Sequence, residues 1–177
     1  MLAFLVSAIR LGMVFLFGST GEILTEKSGH LNLGTPGVMC VGASCGCFAE
    51  YLYLKSVGPY ASPALAILIA VVATFVGAAL MGLLFSFLTV TLRANQNVTG
   101  LALTIFGAGM ANFFGVLVLN GGTSVKASFA HEVCTKPIPY LSTHLGWFGK
   151  MFFSYGFMVY LAVLVAAVLN YFIYRTR

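Results

Sequence analysis

The chain contains no aspartate, and its four acidic residues are Glu22, Glu26, Glu50 and Glu132. Only 7% of the 177 residues are charged, against roughly a quarter in soluble globular domains. Carboxylate pairs for acid–base catalysis are therefore scarce. No Walker lysine motif and no H-E-x-x-H occurs, so the chain brings no ATP site and no zinc-peptidase helix of its own. Any energy for work comes from a partner or a gradient. The cysteines Cys40, Cys45, Cys47 and Cys134 match no paired C-x-x-C zinc template, and their spacing defines no disulfide. The nine Lys and Arg are scattered singly or in pairs. They form no basic stripe, so the net charge of +5 does not indicate nucleic acid; charges placed this way sit at the ends of membrane helices.

What the chain has in abundance is apolar length. Hydrophobic residues make up 60% of it, its mean hydropathy is +0.99, and its apolar runs reach the roughly 20 residues that a helix needs to cross a bilayer. The alternating pattern of an outer-membrane barrel is missing. The expected fold is all-α: one transmembrane domain over residues 1–177, a polytopic bundle of about five spans with a broken-helix segment. The spans are expected near Leu2–Phe17, which is short unless it borrows a turn from Gly18–Leu24, then Gly37–Leu54, Pro63–Leu92, from after Asn97 to Leu119, and Phe148–Tyr174. The first lacks a basic leader and a cleavage site, so it reads as an uncleaved span, with Arg10 facing protein or water. Residues from about 120 to 147 form a loop too polar to span, expected on the external side of the membrane.

The most unusual stretch is Gly21–Met39, GEILTEKSGHLNLGTPGVM. Irregular backbone at membrane depth is tolerated only where protein or water surrounds it. Two readings fit. Gly29, Gly34, Gly37 and Pro36 suit a broken helix whose ends face a permeating solute, and they equally suit an ordinary loop followed by a Pro-initiated helix. Glu22 and Glu26 are one helical turn apart, with Lys27 adjacent, which suits a structural ion pair or a coupling role. Asn95 or Asn97 is placed to cap the fourth span. Asn97-Val98-Thr99 also fits a glycosylation acceptor, but it abuts a span on the side assigned to the cytoplasm.

Two clusters carry a resemblance. The first reads Gly21-Glu22, Glu26-Lys27-Ser28-Gly29, Asn32-Leu33-Gly34, then Gly37 and Met39; the second reads Ala94-Asn95-Gln96, Val98-Thr99-Gly100 and Leu101-Ala102-Leu103. In this order they resemble the permease subunits of bacterial binding-protein-dependent ABC importers, in the branch serving branched-chain amino acids, simple sugars and nucleosides. Similarity is greatest to the nucleoside and simple-sugar members. At Pro36 many relatives carry Glu, so no carboxylate role transfers to that position. Family members commonly continue into a coupling helix and further spans, and on that comparison the chain looks like an amino-terminal portion.

The resemblance implies a non-enzymatic subunit that forms a translocation path for nucleosides or simple sugars, with no cofactor in this chain. ATP and Mg would be bound by a separate ATP-binding cassette subunit. A second permease subunit, an external substrate-binding lipoprotein and the lipid bilayer complete the expected partners, and no nucleic acid is expected. Asn32, Gly34, Pro36, Asn95, Gln96 and Thr99 are the expected path or gate residues. The expected location is the bacterial plasma membrane, with the N-terminus outside and the C-terminus, anchored by Arg175 and Arg177, in the cytoplasm. A non-transporting membrane assembly protein and an ion-coupled secondary carrier are the alternatives.

Overall fold

A computed structural model describes residues 2–120 and 155–175. Among them every regular element is helical: α1 (Leu2–Lys27), α2 (Thr35–Val57), a short 3₁₀ turn (Gly58–Tyr60), α3 (Pro63–Ser86) continued by a π-helical turn (Phe87–Thr91), α4 (Gln96–Asn120) and α5 (Phe157–Arg175). Among the described residues, five helices are long and apolar enough to cross a membrane. The expected external loop lies almost wholly outside the described residues, as does the stretch from Phe148 where the fifth span is expected to begin.

The largest departure from expectation concerns the first span. It does not stop near Phe17 but takes up the extra turn through Leu24 and runs on to Lys27, so Glu22, Glu26 and Lys27 are helical and the non-helical break shrinks to residues 28–34. The polar side chains on the way are accommodated locally. Ser19 Oγ donates to Leu16 O at 3.1 Å and Thr20 Oγ1 to Phe17 O at 2.9 Å, returning each hydroxyl to its own helix.

The chain divides into two compact units, Met1–Leu24 with His131–Arg177, and Thr25–Ala130. In the first, α5 ends with the Arg175 guanidinium 5.8 Å from the centre of the Tyr171 ring, an arrangement suited to a membrane boundary. The second unit is built around α2, which packs between α3 and α4. Over its most apolar stretch α2 is 44% buried, against 22% for α3 and 11% for α4, which makes it the central helix of this unit.

Small residues set those contacts. Toward α3, Gly42 faces Thr74 and Ala78, Gly46 faces Ala70 and Thr74, and Gly77 faces Cys45. Between lipid-soluble helices there is no hydrophobic driving force, so close backbone approach and dispersion hold them together. Val41, Met81, Phe85 and Leu103 form the buried cluster where α2, α3 and α4 converge. At the α2–α3 connection, Ser62 N–H donates to the Tyr53 hydroxyl at 3.2 Å, and Pro63 opens α3 where its missing amide proton is no loss.

Candidate functional site: a broken helix lead-in clasped by α4

The break is assembled from its backbone outward. At the end of α1, Gly29 takes φ +86°, and its N–H donates to Glu26 O at 2.9 Å while His30 N–H reaches Thr25 O at 3.1 Å. These two bonds close a Schellman motif, which needs a left-handed residue at that position and is met most readily by glycine. Beyond it Asn32 organises the start of α2. Its Oδ1 accepts from Gly34 N–H at 2.9 Å, and its carbonyl accepts from Thr35 Oγ1 at 3.0 Å. Gly34 is the N-cap, without a side-chain cap bond, and Pro36 occupies the first turn.

Two further backbone groups of the break are satisfied by the start of α4, some seventy residues later. Leu31 N–H donates to Gln96 Oε1 at 3.0 Å, and Thr104 Oγ1 donates to Leu33 O at 2.8 Å. Backbones also touch directly. A β-carbon on Gly100 would stand 2.8 Å from Gly34 N and 2.9 Å from Leu33 N, and one on Gly37 would collide with the Leu103 carbonyl. The two sequence clusters therefore form one structure.

The expected site residues divide accordingly. Asn32, Gly34 and Gln96 belong to the clasp, and Gly34 is buried. Asn95 caps α4: its Oδ1 accepts from Asn97 N–H at 3.0 Å and Val98 N–H at 3.4 Å. Thr99 is buried in the first turn of α4. Pro36 is exposed and acts as a helix starter. Glu22, Glu26 and Lys27 lie on the last two turns of α1, where Glu22 is half-buried and the other two are exposed. Sequence reasoning missed Thr104 and Gly107, which lie just beyond the second cluster. Their spacing from Gly100, four and seven residues on, puts all three on one helical face, and that periodicity could have found them.

Chemistry other than binding has little support here. Gly42-Ala43-Ser44-Cys45-Gly46 spells G-x-S-x-G, a match that sequence reasoning also missed. A nucleophile elbow requires a strand-to-helix turn, whereas this pentapeptide is continuous helix and Ser44 Oγ donates to Val41 O at 3.0 Å. Among the described residues no group of three or more His, Cys, Asp or Glu could hold a metal. A cleft of about 470 Å³ beside Cys45, Ile69, Ala73 and Gly77 is walled by apolar groups and offers a polar solute nothing to bind.

Comparison with known proteins places the chain in a family. The family model described as "Branched-chain amino acid transport system / permease component" matches residues 4–177. A Haloferax volcanii protein named for a glucose ABC transporter permease is 31% identical over 178 residues, covering 97% of this chain and 47% of that protein. A nucleoside ABC transporter permease protein of Lactococcus lactis is 29% identical, with 92% of this chain and 49% of that protein covered. A guanosine ABC transporter permease protein of Bacillus subtilis is 26% identical, covering 86% and 46%. The chain thus spans about half the length of these relatives. No solved structure matches. With nearly its whole length matched, and with both signature clusters joined in one clasp, the chain belongs to the permease-component family of branched-chain amino acid type transport systems.

Proposed function

We propose that the chain forms part of the translocation path of an ABC importer for nucleosides or simple sugars, and that it is not itself an enzyme. The observation that carries this reading is the clasp. A helix lead-in broken at residues 28–34 is fastened by side chains and backbone of α4, and in transporters the solute site is typically formed by discontinuous helices. In this reading Asn32, Gly34, Pro36, Asn95, Gln96 and Thr99 shape the inner end of the path, chiefly by fixing backbone. Glu22, Glu26 and Lys27 serve as a structural or coupling charge group at the end of α1.

The N-terminus lies outside, the clasp at the cytoplasmic side and the C-terminus in the cytoplasm. Partners are an ATP-binding cassette subunit, which binds ATP and Mg, a second permease subunit and an external substrate-binding lipoprotein. Reconstitution of the complete transporter in vesicles tests this reading. Uptake of nucleoside or sugar that requires ATP and the binding protein is expected, and uptake driven by an ion gradient without ATP would overturn it.

A further inference from the structure

The clasp holds two hydrogen-bonding groups that are fixed in direction but only partly used. The first is the carbonyl of Leu33. It shares one planar peptide unit with Gly34 N–H, and that unit is held at both ends: Gly34 N–H donates to Asn32 Oδ1 at 2.9 Å, and Leu33 O accepts from Thr104 Oγ1 at 2.8 Å. Gly100 closes on the same peptide from the side, since a β-carbon there would stand 3.0 Å from Leu33 C. The Thr104 hydroxyl also lies 3.1 Å from Gly100 O, but it has a single proton, and the regular helix already supplies Gly100 O with an N–H. The proton therefore serves Leu33. A carbonyl oxygen has two lone pairs, and among the described residues Thr104 alone bonds to this one.

The second group is the Gln96 carboxamide. Leu31 N–H is received by its oxygen at 3.0 Å, a bond that a flipped amide would lose, so the network fixes the orientation. The NH₂ end is thereby presented as a donor, and among the described residues none accepts from it. Leu31 and Leu33 are 39% and 40% exposed, and both anchoring bonds lie at the surface of the unit. From Leu31 N to Leu33 O the chain reaches at most about 10 Å. The side chains that fasten the pair, Asn32, Gln96 and Thr104, are all uncharged.

We propose that the Leu33 carbonyl and the Gln96 carboxamide form a solute subsite, with Thr104 as the residue that positions the carbonyl. The subsite takes an uncharged solute that gives a donor to Leu33 O and an acceptor to Gln96 Nε2, as the hydroxyls of a sugar or the amide edge of a nucleobase do. A solute ammonium or carboxylate meets no opposite charge among these groups, and removing water from a charge is costly without one. That the bound solute is on a transport path rests on the permease reading; that the clasp binds it rests on the geometry of the two groups.

The test uses the full chain in lipid nanodiscs, with guanosine, glucose and leucine as probes and saturation-transfer NMR to read weak binding. Guanosine or glucose should bind, and leucine at least about fivefold more weakly, a factor of the size that one hydrogen bond supplies. Gln96→Glu separates the two roles of that side chain, because it keeps an oxygen for Leu31 N–H and replaces the donor. It should weaken binding at least about fivefold while exchange of the Leu31 amide proton stays as in the parent. Thr104→Val, of similar shape without the hydroxyl, should weaken binding to a similar degree, and Thr104→Ser should restore it to within about twofold. Should Thr104→Val fail to fold, Gln96→Glu decides. Equal affinity of Gln96→Glu and the parent, leucine binding as well as guanosine and glucose, or no binding of any probe by the parent overturns the subsite. Binding that responds to Gln96→Glu in a protein whose transporter lacks ATP-driven uptake would remove the permease reading and leave the subsite, whereas unresponsive binding with normal ATP-driven uptake would do the reverse.

Discussion

Gly37 of α2 and Gly107 of α4 lie backbone against backbone: a β-carbon on Gly107 would stand 2.6 Å from Gly37 Cα and 2.7 Å from its carbonyl carbon. No rotamer change relieves such a contact, because the obstacle is main chain. The two helices must separate to admit a methyl group, and the clasp one turn away separates with them.

Gly107→Ala and Gly37→Ala are therefore each expected to destabilise the protein by about 1–3 kcal/mol, the usual range for overpacking. Gly109, where an added β-carbon would meet nothing within 4 Å, is the control, and Gly109→Ala should be neutral or slightly stabilising. Thermal unfolding in detergent followed by size-exclusion chromatography compares the three. Equal melting temperatures would show that the α2–α4 contact is looser than described.

Gln96 holds the break by accepting one backbone bond, from Leu31 N–H at 3.0 Å. Its removal in Gln96→Ala should be worth about 1 kcal/mol, the net value of a typical hydrogen bond, and should speed exchange of the Leu31 amide proton several-fold. Gln96→Glu retains an acceptor oxygen and should leave Leu31 protected. Hydrogen exchange read by mass spectrometry over the peptide containing Leu31 separates these outcomes.

Asn95 acts on α4 through its side-chain cap. Asn95→Ala should lower stability by about 1 kcal/mol, whereas Asn95→Asp, an equally good cap, should preserve it. Melting curves of the two variants check the difference, and an equal loss in both would assign Asn95 a role beyond capping.

Glu50 discriminates between transport mechanisms. It is 5% exposed and lies fifteen residues beyond Thr35 in α2, about 22 Å along the helix axis. A buried carboxylate inside a span is what an ion-coupled carrier would use. Under the ABC reading, Glu50→Gln in the assembled transporter should leave ATP-driven uptake within about twofold of the parent, a change below roughly 0.4 kcal/mol in barrier height. Loss of uptake with ATPase activity retained would favour coupling through Glu50.

The spans were legible because apolar length is a strong signal: α2, α3 and α4 begin and end within a few residues of the apolar runs that predict them. The end of α1 was not. Ser19, Thr20, Glu22 and Glu26 lower the local hydropathy, yet they remain compatible with helix, and the hydroxyls of Ser19 and Thr20 bond to their own turn. The helix stops only where Gly29 closes it. In the site, Asn32, Gly34, Asn95 and Gln96 were visible as polar or small residues in apolar surroundings. The groups they position, Leu31 N–H and Leu33 O, are main chain and leave no mark on residue identity. The pairing of Gly37 with Gly107 was hidden for another reason: both helices carry several glycines, and which two meet is decided by packing across the bundle.

The central claim is that the clasped break forms the inner end of a solute path. ATP-driven uptake by a full-length relative carrying alanine at the positions equivalent to Asn32 and Gln96, in a reconstituted transporter with its binding protein, tests it most directly. The account predicts normal assembly with uptake reduced about tenfold or more, as expected if about 1 kcal/mol is lost at each of two hydrogen bonds that shape the path. Unchanged uptake in the double variant would contradict it.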